Sequence, residues 1–176
     1  MSVVVRPRRA SDTRAVRRVA RAAWRAALEG RAPAGFLAAV WRTLYGRDRL
    51  VLGLVDDRRD AFVAERGGEV VGYADGIEGP RADGGAGTYE VARVYVAPRA
   101  WGRGVGRGLV DSLLAAARAR GIERLDVEVD AENPEGLRFW ERMGFARTGV
   151  GTYELPPWSR ATIRLARAVP PRHPPM

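Results

Sequence analysis

The chain has no cysteine, no lysine and a single histidine. Without cysteine there is no disulfide framework, no thiolate nucleophile and no cysteine-based zinc site. The one histidine, His173, lies in the stretch Pro170-Pro171-Arg172-His173-Pro174-Pro175-Met176, whose composition reads as a disordered tail. Neither Ser-His-Asp chemistry nor a metal centre is therefore expected. The lack of lysine excludes a P-loop, whose fingerprint ends in Gly-Lys-Ser/Thr. Long apolar runs are missing too. No stretch approaches eighteen uninterrupted apolar residues, and Met1-Ser2-Val3-Val4-Val5-Arg6-Pro7-Arg8-Arg9 lacks the ordered regions of a secretory signal. These absences lead to the expectation of a soluble, cytoplasmic protein with no membrane partner.

What is present fits one domain. With 176 residues, 46% of them apolar, the chain can bury a proper core, whereas two domains would both be small. The expected boundaries are 1–169 for the domain and 170–176 for the tail. Thirty arginines give a formal charge of +9, which could serve nucleic acid, an acidic membrane or an anionic cofactor. They are spread along the chain without a block of five or six like charges, a zinc-finger pattern or an aromatic-plus-basic strand. No nucleic-acid partner is expected on that ground.

Val3-Val4-Val5-Arg6-Pro7-Arg8 reads as a first strand. Ser11-Asp12 then offers an N-cap for a helix whose apolar residues Val16, Val19, Ala20, Ala23, Trp24, Ala27 and Leu28 recur at helical spacing up to Gly30. A second helix is expected over 34–45, while 49–57 reads equally as helix or strand. Residues 61–66 and 69–75, joined by Gly67-Gly68, form a hairpin pattern, followed by a loop at 76–87. Next come a strand at 89–96, a glycine turn, a helix over 109–120 closed by Gly121, and the strictly alternating Leu125-Asp126-Val127-Glu128-Val129-Asp130. Asn133 and Pro134 suit the N-cap and first position of a short helix ending at Gly144. The last strand candidates are 145–148, a stretch around Tyr153, and 161–168.

The most informative stretch is Trp101-Gly102-Arg103-Gly104-Val105-Gly106-Arg107-Gly108, between a strand-like run and a helical one. Alternate glycines let the backbone approach a ligand and adopt the φ values of a tight turn. The free N–H groups of the following helical turn favour an anion such as a pyrophosphate, and Arg103 and Arg107 add charge beside them. Glycines also serve as caps or loop punctuation, so spacing alone leaves both readings open. A dinucleotide-binding Rossmann unit fits poorly, because its glycine run follows the first strand and this one lies past the middle of the chain.

Taken with this turn, the order of elements and the segment Asn133-Pro-Glu-Gly-Leu-Arg-Phe-Trp-Glu-Arg-Met-Gly144-Phe145 resemble the GNAT superfamily of acyl-CoA-dependent N-acetyltransferases over roughly residues 3–168. Residues 101–106 are similar to the family's Arg/Gln-x-x-Gly-x-Gly/Ala turn, and the strand before it ends Val94-Tyr95-Val96-Ala97-Pro98. The resemblance implies an α/β (α+β) fold with a central mixed, mostly antiparallel sheet of six or seven strands and about four helices. It implies acetyl-CoA as acyl donor, no metal, and a primary amine on a small molecule or peptide as acceptor. Protein N-terminal α-amines are the acceptors of the subgroup whose pattern looks nearest. Many relatives dimerise, so a homodimer is left open.

Residue by residue, the resemblance implies that the backbone of Trp101, Gly102, Arg103, Gly104, Val105 and Gly106, with Arg107 close by, holds the coenzyme's pyrophosphate. Val94, Tyr95 and Val96 would pair through their main chain with the pantetheine arm, and they equally suit an ordinary core strand. Asn133 matches an asparagine that contacts the coenzyme and also suits a helix cap. Trp101 stands where the motif has Arg or Gln, and Trp140 where the family often has the Tyr proposed to protonate the departing thiolate. An indole N–H cannot act as a Brønsted acid near neutral pH, so Trp140 would pack against the pantetheine arm and water, Tyr153 or Tyr95 would supply the proton. Glu90 matches the position of a catalytic glutamate that would deprotonate the amine through water; a solvated strand glutamate is the plain alternative. Trp24, Trp41, Asp75 and Glu78 are candidate contacts for a cationic acceptor. The departures at Trp101 and Trp140 also admit a second class of function, a coenzyme-A-binding module without catalysis.

Overall fold

A computed structural model describes residues 2–44, 56–79 and 87–170. Strands β1 (Val3–Pro7), β2 (Arg59–Arg66), β3 (Glu69–Glu78), β4 (Thr88–Val96), β5 (Arg124–Asp130), β6 (Ala146–Leu155) and β7 (Trp158–Ala168) form one seven-stranded sheet in the order β1-β2-β3-β4-β5-β7-β6. Every neighbouring pair is antiparallel except β4 and β5. Among the described residues there are four α-helices: α1 (Thr13–Leu28), α2 (Phe36–Leu44), α3 (Val105–Ala119) and α4 (Pro134–Arg142). None of them is long and apolar enough to cross a membrane. The fold class agrees with the expectation from the sequence.

Period dictates which face each element buries. Leu125, Val127 and Val129 of β5 alternate with charged residues and point into the main core, where they meet Leu109, Leu113 and Ala117 of α3 and Leu137 and Trp140 of α4. On the other face, Val16, Val19 and Ala20 of α1 and Phe36 and Val40 of α2 cover Val63, Val70 and Tyr73. Helix α3 ends where Gly121 turns to φ 70° and the Ile122 N–H reaches back to the Ala117 carbonyl at 3.0 Å, a left-handed closure that glycine permits.

Several boundaries differ from the sequence reading. Strand β3 continues through Gly76 to Glu78 instead of entering a loop, because Gly76 is a packing glycine. A Cβ there would lie 2.1 Å from Cε1 of the buried Tyr89 ring. The three short candidates near the C-terminus are one long hairpin, β6–β7. Helix α3 begins at Val105, so Gly106 and Gly108 are helical rather than part of the turn. Helix α2 begins two residues later than expected. The ambiguous segment falls largely on 45–55, and 45–55, the loop portion 80–86 and the tail residues 171–176 lie outside the described residues.

Candidate functional site

Strands β4 and β5 pair in parallel only from Thr88↔Arg124 to Val91↔Val127. The register of β4 against β3 jumps from Gly76↔Val91 to Asp75↔Arg93, leaving Ala92 as a bulge. Beyond it the two strands part, while β5 stays in the sheet through its pairing with β7 up to Asp130↔Thr162. The Ala97 N–H donates to the Val71 carbonyl at 2.9 Å. By antiparallel alternation the main-chain groups of Tyr95 therefore face β3, and those of Val94 and Val96 face the gap. The bulge also sets the side chains: Val94 and Val96 pack on the main core, whereas Tyr95 joins the cluster under α1.

At the open end of this gap the chain makes a short turn over Pro98–Ala100 and enters the glycine segment. Gly102 and Gly104 have φ of 69° and 78°, and a Cβ at either would meet nothing, so conformation and not space calls for glycine there. Gly104 is the N-cap of α3 and offers no side chain to the first turn, whose first internal bond runs from the Gly108 N–H to the Gly104 carbonyl at 3.0 Å. The earlier N–H groups are left for an external acceptor. Val105 is buried and anchors the turn, and Arg103 and Arg107 are exposed beside it. Gly106 and Gly108 admit close packing: their Cβ atoms would lie 2.9 Å from Phe139 Cε2 of α4 and 3.2 Å from Val5 Cγ2 of β1. Trp101 is half exposed, and its indole N–H donates to the Val96 carbonyl at 2.9 Å, across the mouth of the gap.

Glu90 lies at the closed end, one residue before the last β4–β5 pair. Tyr89 and Val91 point into the main core, so Glu90 points to the opposite face, where it is exposed. Its carboxylate has no hydrogen bond or ion pair among the described residues. Roughly 15–20 Å of strand separates it from the cradle. Glu128, not singled out in the sequence, is exposed on β5 on the same face, just past the point where the strands part. It accepts a hydrogen bond from the buried Thr162 hydroxyl, and a Cβ on Gly151 would run into its carboxylate. Alternation in β5 was the signal that could have found it.

Asn133 caps α4, accepting from the Gly136 N–H at 3.0 Å. Trp140 is 6% exposed and packs edge-on against Phe145 with ring centroids 4.9 Å apart, as a member of the main core. On the α1 side, the Trp24 indole donates to the Tyr95 hydroxyl at 3.0 Å, and Phe36 lies edge-on to Tyr153 and Trp158. Burial pushes the Tyr153 phenol up, opposed in part by the charge of Arg93, so it stays protonated at neutral pH.

The proposed contacts of Asp75, Glu78 and Trp41 to a cationic acceptor need correction. Asp75 is 1% exposed and is bridged by Arg59 and Arg93 from the flanking strands, each at 2.6 Å, so it serves a buried ion network. Glu78 points to the α3 side, where Arg120 reaches it at 3.4 Å. Trp41 lies on the outer side of α1, under the guanidinium groups of Arg17 and Arg21. Of the four, Trp24 alone borders the aromatic cluster beside β4.

Similarity to known proteins agrees with this architecture. A sequence model of the acetyltransferase (GNAT) family matches residues 16–145. An uncharacterized N-acetyltransferase of Mycobacterium bovis is 32% identical over 102 residues, covering 58% of this chain and 62% of that protein. A mycothiol acetyltransferase of Thermobispora bispora is 38% identical over 97 residues, covering 51% of this chain and 30% of that one. The chain thus spans less than two thirds of the length of these relatives. Among solved structures, the ribosomal-protein-alanine N-acetyltransferase of Brucella melitensis superposes with a TM-score of 0.74 at 25% identity, over 94% of this chain and 99% of that one. The PaiA N-acetyltransferase of Thermoplasma acidophilum, solved in complex with coenzyme A, gives 0.74 at 18% identity over 93% and 98%. With its family motif spanning most of the described sheet, the chain belongs to the acetyltransferase (GNAT) family.

Proposed function

We propose that the protein transfers the acetyl group of acetyl-CoA to a primary amine by direct attack. The observation that carries this reading is the gap between β4 and β5, with an uncapped helix N-terminus at its open end and, beside its closed end, the exposed carboxylate of Glu90, unpaired among the described residues. A long, thin donor with an anionic head and an amide-bearing arm fits that plan. The main-chain N–H groups of 101–106, with Arg103 and Arg107, hold the pyrophosphate. The free main-chain groups of Val94 and Val96 pair with the pantetheine amides, which need strand-like partners once out of water. Trp101 releases the Val96 carbonyl when the arm arrives, and the amide of Asn133 closes on the arm from α4. Trp140 supports that helix from the core.

Glu90 takes the proton of the attacking ammonium through a water, giving an amine with a lone pair. The amine adds to the thioester carbonyl, whose developing charge is met by the N–H of Val96 or a neighbour, and the tetrahedral intermediate expels the coenzyme A thiolate. A thiolate of this kind leaves readily, and the second proton of the former amine passes, through water or the phenol of Tyr153, to the departing sulfur, giving a neutral amide and a thiol. Glu128 is the second carboxylate on the acceptor face. The near-complete superposition on the Brucella ribosomal-protein-alanine acetyltransferase favours a peptide N-terminal α-amine over a small amine. The burial of Trp140 in the core, where the family often has a proton-donating phenol, favours one other reading, a coenzyme-A-binding module without turnover.

Thiol release from acetyl-CoA, measured against N-terminal peptides, polyamines, amino acids and aminoglycosides beside an acceptor-free blank, decides between them. Selective turnover with peptides is expected, and saturable acetyl-CoA binding with no acceptor above the blank would leave the module. Glu90→Gln is expected to lower kcat/KM about 100-fold or more below the pKa of the acceptor. Full retention of kcat/KM across pH 6–9 would remove Glu90 from the mechanism.

A further inference from the structure

The fold gathers arginines that the linear sequence spreads out. Arg14, Arg17, Arg18, Arg21 and Arg25 of α1 follow one another at helical spacing, so all five fall within an arc of about 100° along roughly 16 Å of helix. Their face is opposite the buried Val16, Val19, Ala20 and Ala23. They line a groove of about 870 Å³ that also holds Ser11, Thr13 and Trp41. Arg18 reaches Glu69 at 3.6 Å, but that carboxylate is held closer by Arg99 at 2.6 Å. Among the described residues, Arg14, Arg17, Arg21 and Arg25 form no ion pair. Arg17 and Arg21 instead lie over the Trp41 ring, 5.4 and 5.2 Å from its centre. Like charges three and four residues apart oppose helix formation, a cost that the good helix propensity of arginine and the buried stripe on the inner face offset.

We infer that this groove binds the phosphodiester backbone of a single-stranded nucleic acid. Guanidinium groups repeat at about one helical turn, near 5.4 Å, a step that the phosphates of an extended strand can follow. Each presents a planar fork that matches phosphate oxygens two at a time. The guanidinium planes of Arg17 and Arg21, held over the Trp41 ring, are a second kind of contact, since a base can stack on a guanidinium plane. A membrane surface fits less well, since Trp41 is the single large apolar side chain known to line the groove and the surface is concave. This inference does not rest on acetyl transfer. The groove is on the outer side of α1, whose inner side meets Tyr95 through Trp24. It revises the expectation of no nucleic-acid partner, which considered the order of charges and not their place on a helix.

The experiment is fluorescence anisotropy of a labelled twelve-nucleotide oligouridylate with the full chain, in excess coenzyme A, from 50 to 300 mM KCl. A log–log salt slope of about −2 to −3.5 is expected, equivalent to three to five phosphates at about 0.7 each. The triple variant Arg14→Gln/Arg21→Gln/Arg25→Gln should weaken binding at least tenfold at 100 mM and reduce the slope by about 2, with the melting temperature held. The corresponding triple Arg→Lys variant should keep most of the slope. Unchanged affinity and slope in the Gln variant would overturn the proposal, as would binding abolished by coenzyme A. Equal affinity for a twelve-residue polyglutamate, or for vesicles containing phosphatidylserine, would overturn it too.

Discussion

Replacing Gly106 by alanine separates two roles of the glycine segment, because the added methyl lands between α3 and α4. Its Cβ would sit 2.9 Å from Phe139 Cε2 and 3.1 Å from Cζ, against an ordinary carbon–carbon contact of about 3.5–4.0 Å. The Phe139 ring, or the helix that carries it, must give way by about 0.6 Å. Overpacking of this kind costs about 1–3 kcal/mol, offset by about 1 kcal/mol of helix propensity, so net destabilisation is expected between about 0 and 2 kcal/mol. Binding should suffer more than stability. A hydrogen bond from the first turn of α3 to a phosphate oxygen, stretched from about 2.9 to about 3.5 Å, is nearly lost, and one such charge-assisted bond is worth about 1.5–3 kcal/mol. Acetyl-CoA affinity should therefore fall about 10- to 100-fold by calorimetry. Gly108→Ala is the internal control: it gains the same propensity, and its Cβ would lie 3.2 Å from the end of the Val5 side chain. It should leave Kd within about twofold and stability within about 1 kcal/mol. Phe139→Leu placed in the Gly106→Ala protein should restore part of the affinity. Wild-type affinity in Gly106→Ala, an equal loss in Gly108→Ala, or no recovery with Phe139→Leu would each refute the steric account.

Gly76→Ala should be the more destructive glycine change, at about 3 kcal/mol or more in urea unfolding, because its methyl would strike a fully buried ring. Tyr89 cannot yield without leaving Asp60, to which its hydroxyl donates at 2.8 Å. Trp101→Phe removes the indole donor on the Val96 carbonyl, and acetyl-CoA binding should tighten about threefold to tenfold if that bond is broken on binding; weaker binding would show that the indole helps hold the donor. Acid stability should depend on Asp12, whose carboxylate is held below the usual range by two bonds from Arg6, at 2.8 and 2.9 Å, and by the Arg9 N–H at 2.7 Å. A depressed folded value stabilises fully above the unfolded pKa of about 3.9 and is lost as pH falls through the folded value. The stability gap between wild type and Asp12→Asn, about 1–3 kcal/mol near pH 7, should hold down to about pH 5 and shrink below about pH 4. A gap unchanged at pH 3 would refute that linkage.

Which parts of this design are legible in a sequence follows from how far the determining contacts reach. The alternation in β5 and the helical spacing in α1 are properties of about a dozen consecutive residues or fewer, and both were readable, in α1 with the buried face named. Gly102 and Gly104 were readable as turn residues because positive φ is local. Gly106 and Gly108 were not distinguishable from them, since their reason is a side chain on another element. The bulge at Ala92 leaves no local sign, yet it turns the Val94 and Val96 side chains to the main core and Arg93 and Tyr95 to the face covered by α1. Asp75 failed as an acceptor contact for the same cause: it is buried between two arginine-bearing strands, and its Oδ2 is taken by neighbours sixteen and eighteen residues away.

Charge was misjudged through an assumption about distance. A search for five or six like charges in a row measures proximity along the chain, whereas a helix brings together residues three and four apart and sends adjacent ones to different faces. Arg14, Arg17, Arg18, Arg21 and Arg25 are interrupted by alanine and valine, and those interruptions are the buried stripe that holds α1 on the sheet. The same pattern that makes the helix amphipathic thus concentrates its charge on the outer face. A +9 chain with dispersed arginines can present a local field as strong as that of a basic run, and helical phase decides whether it does.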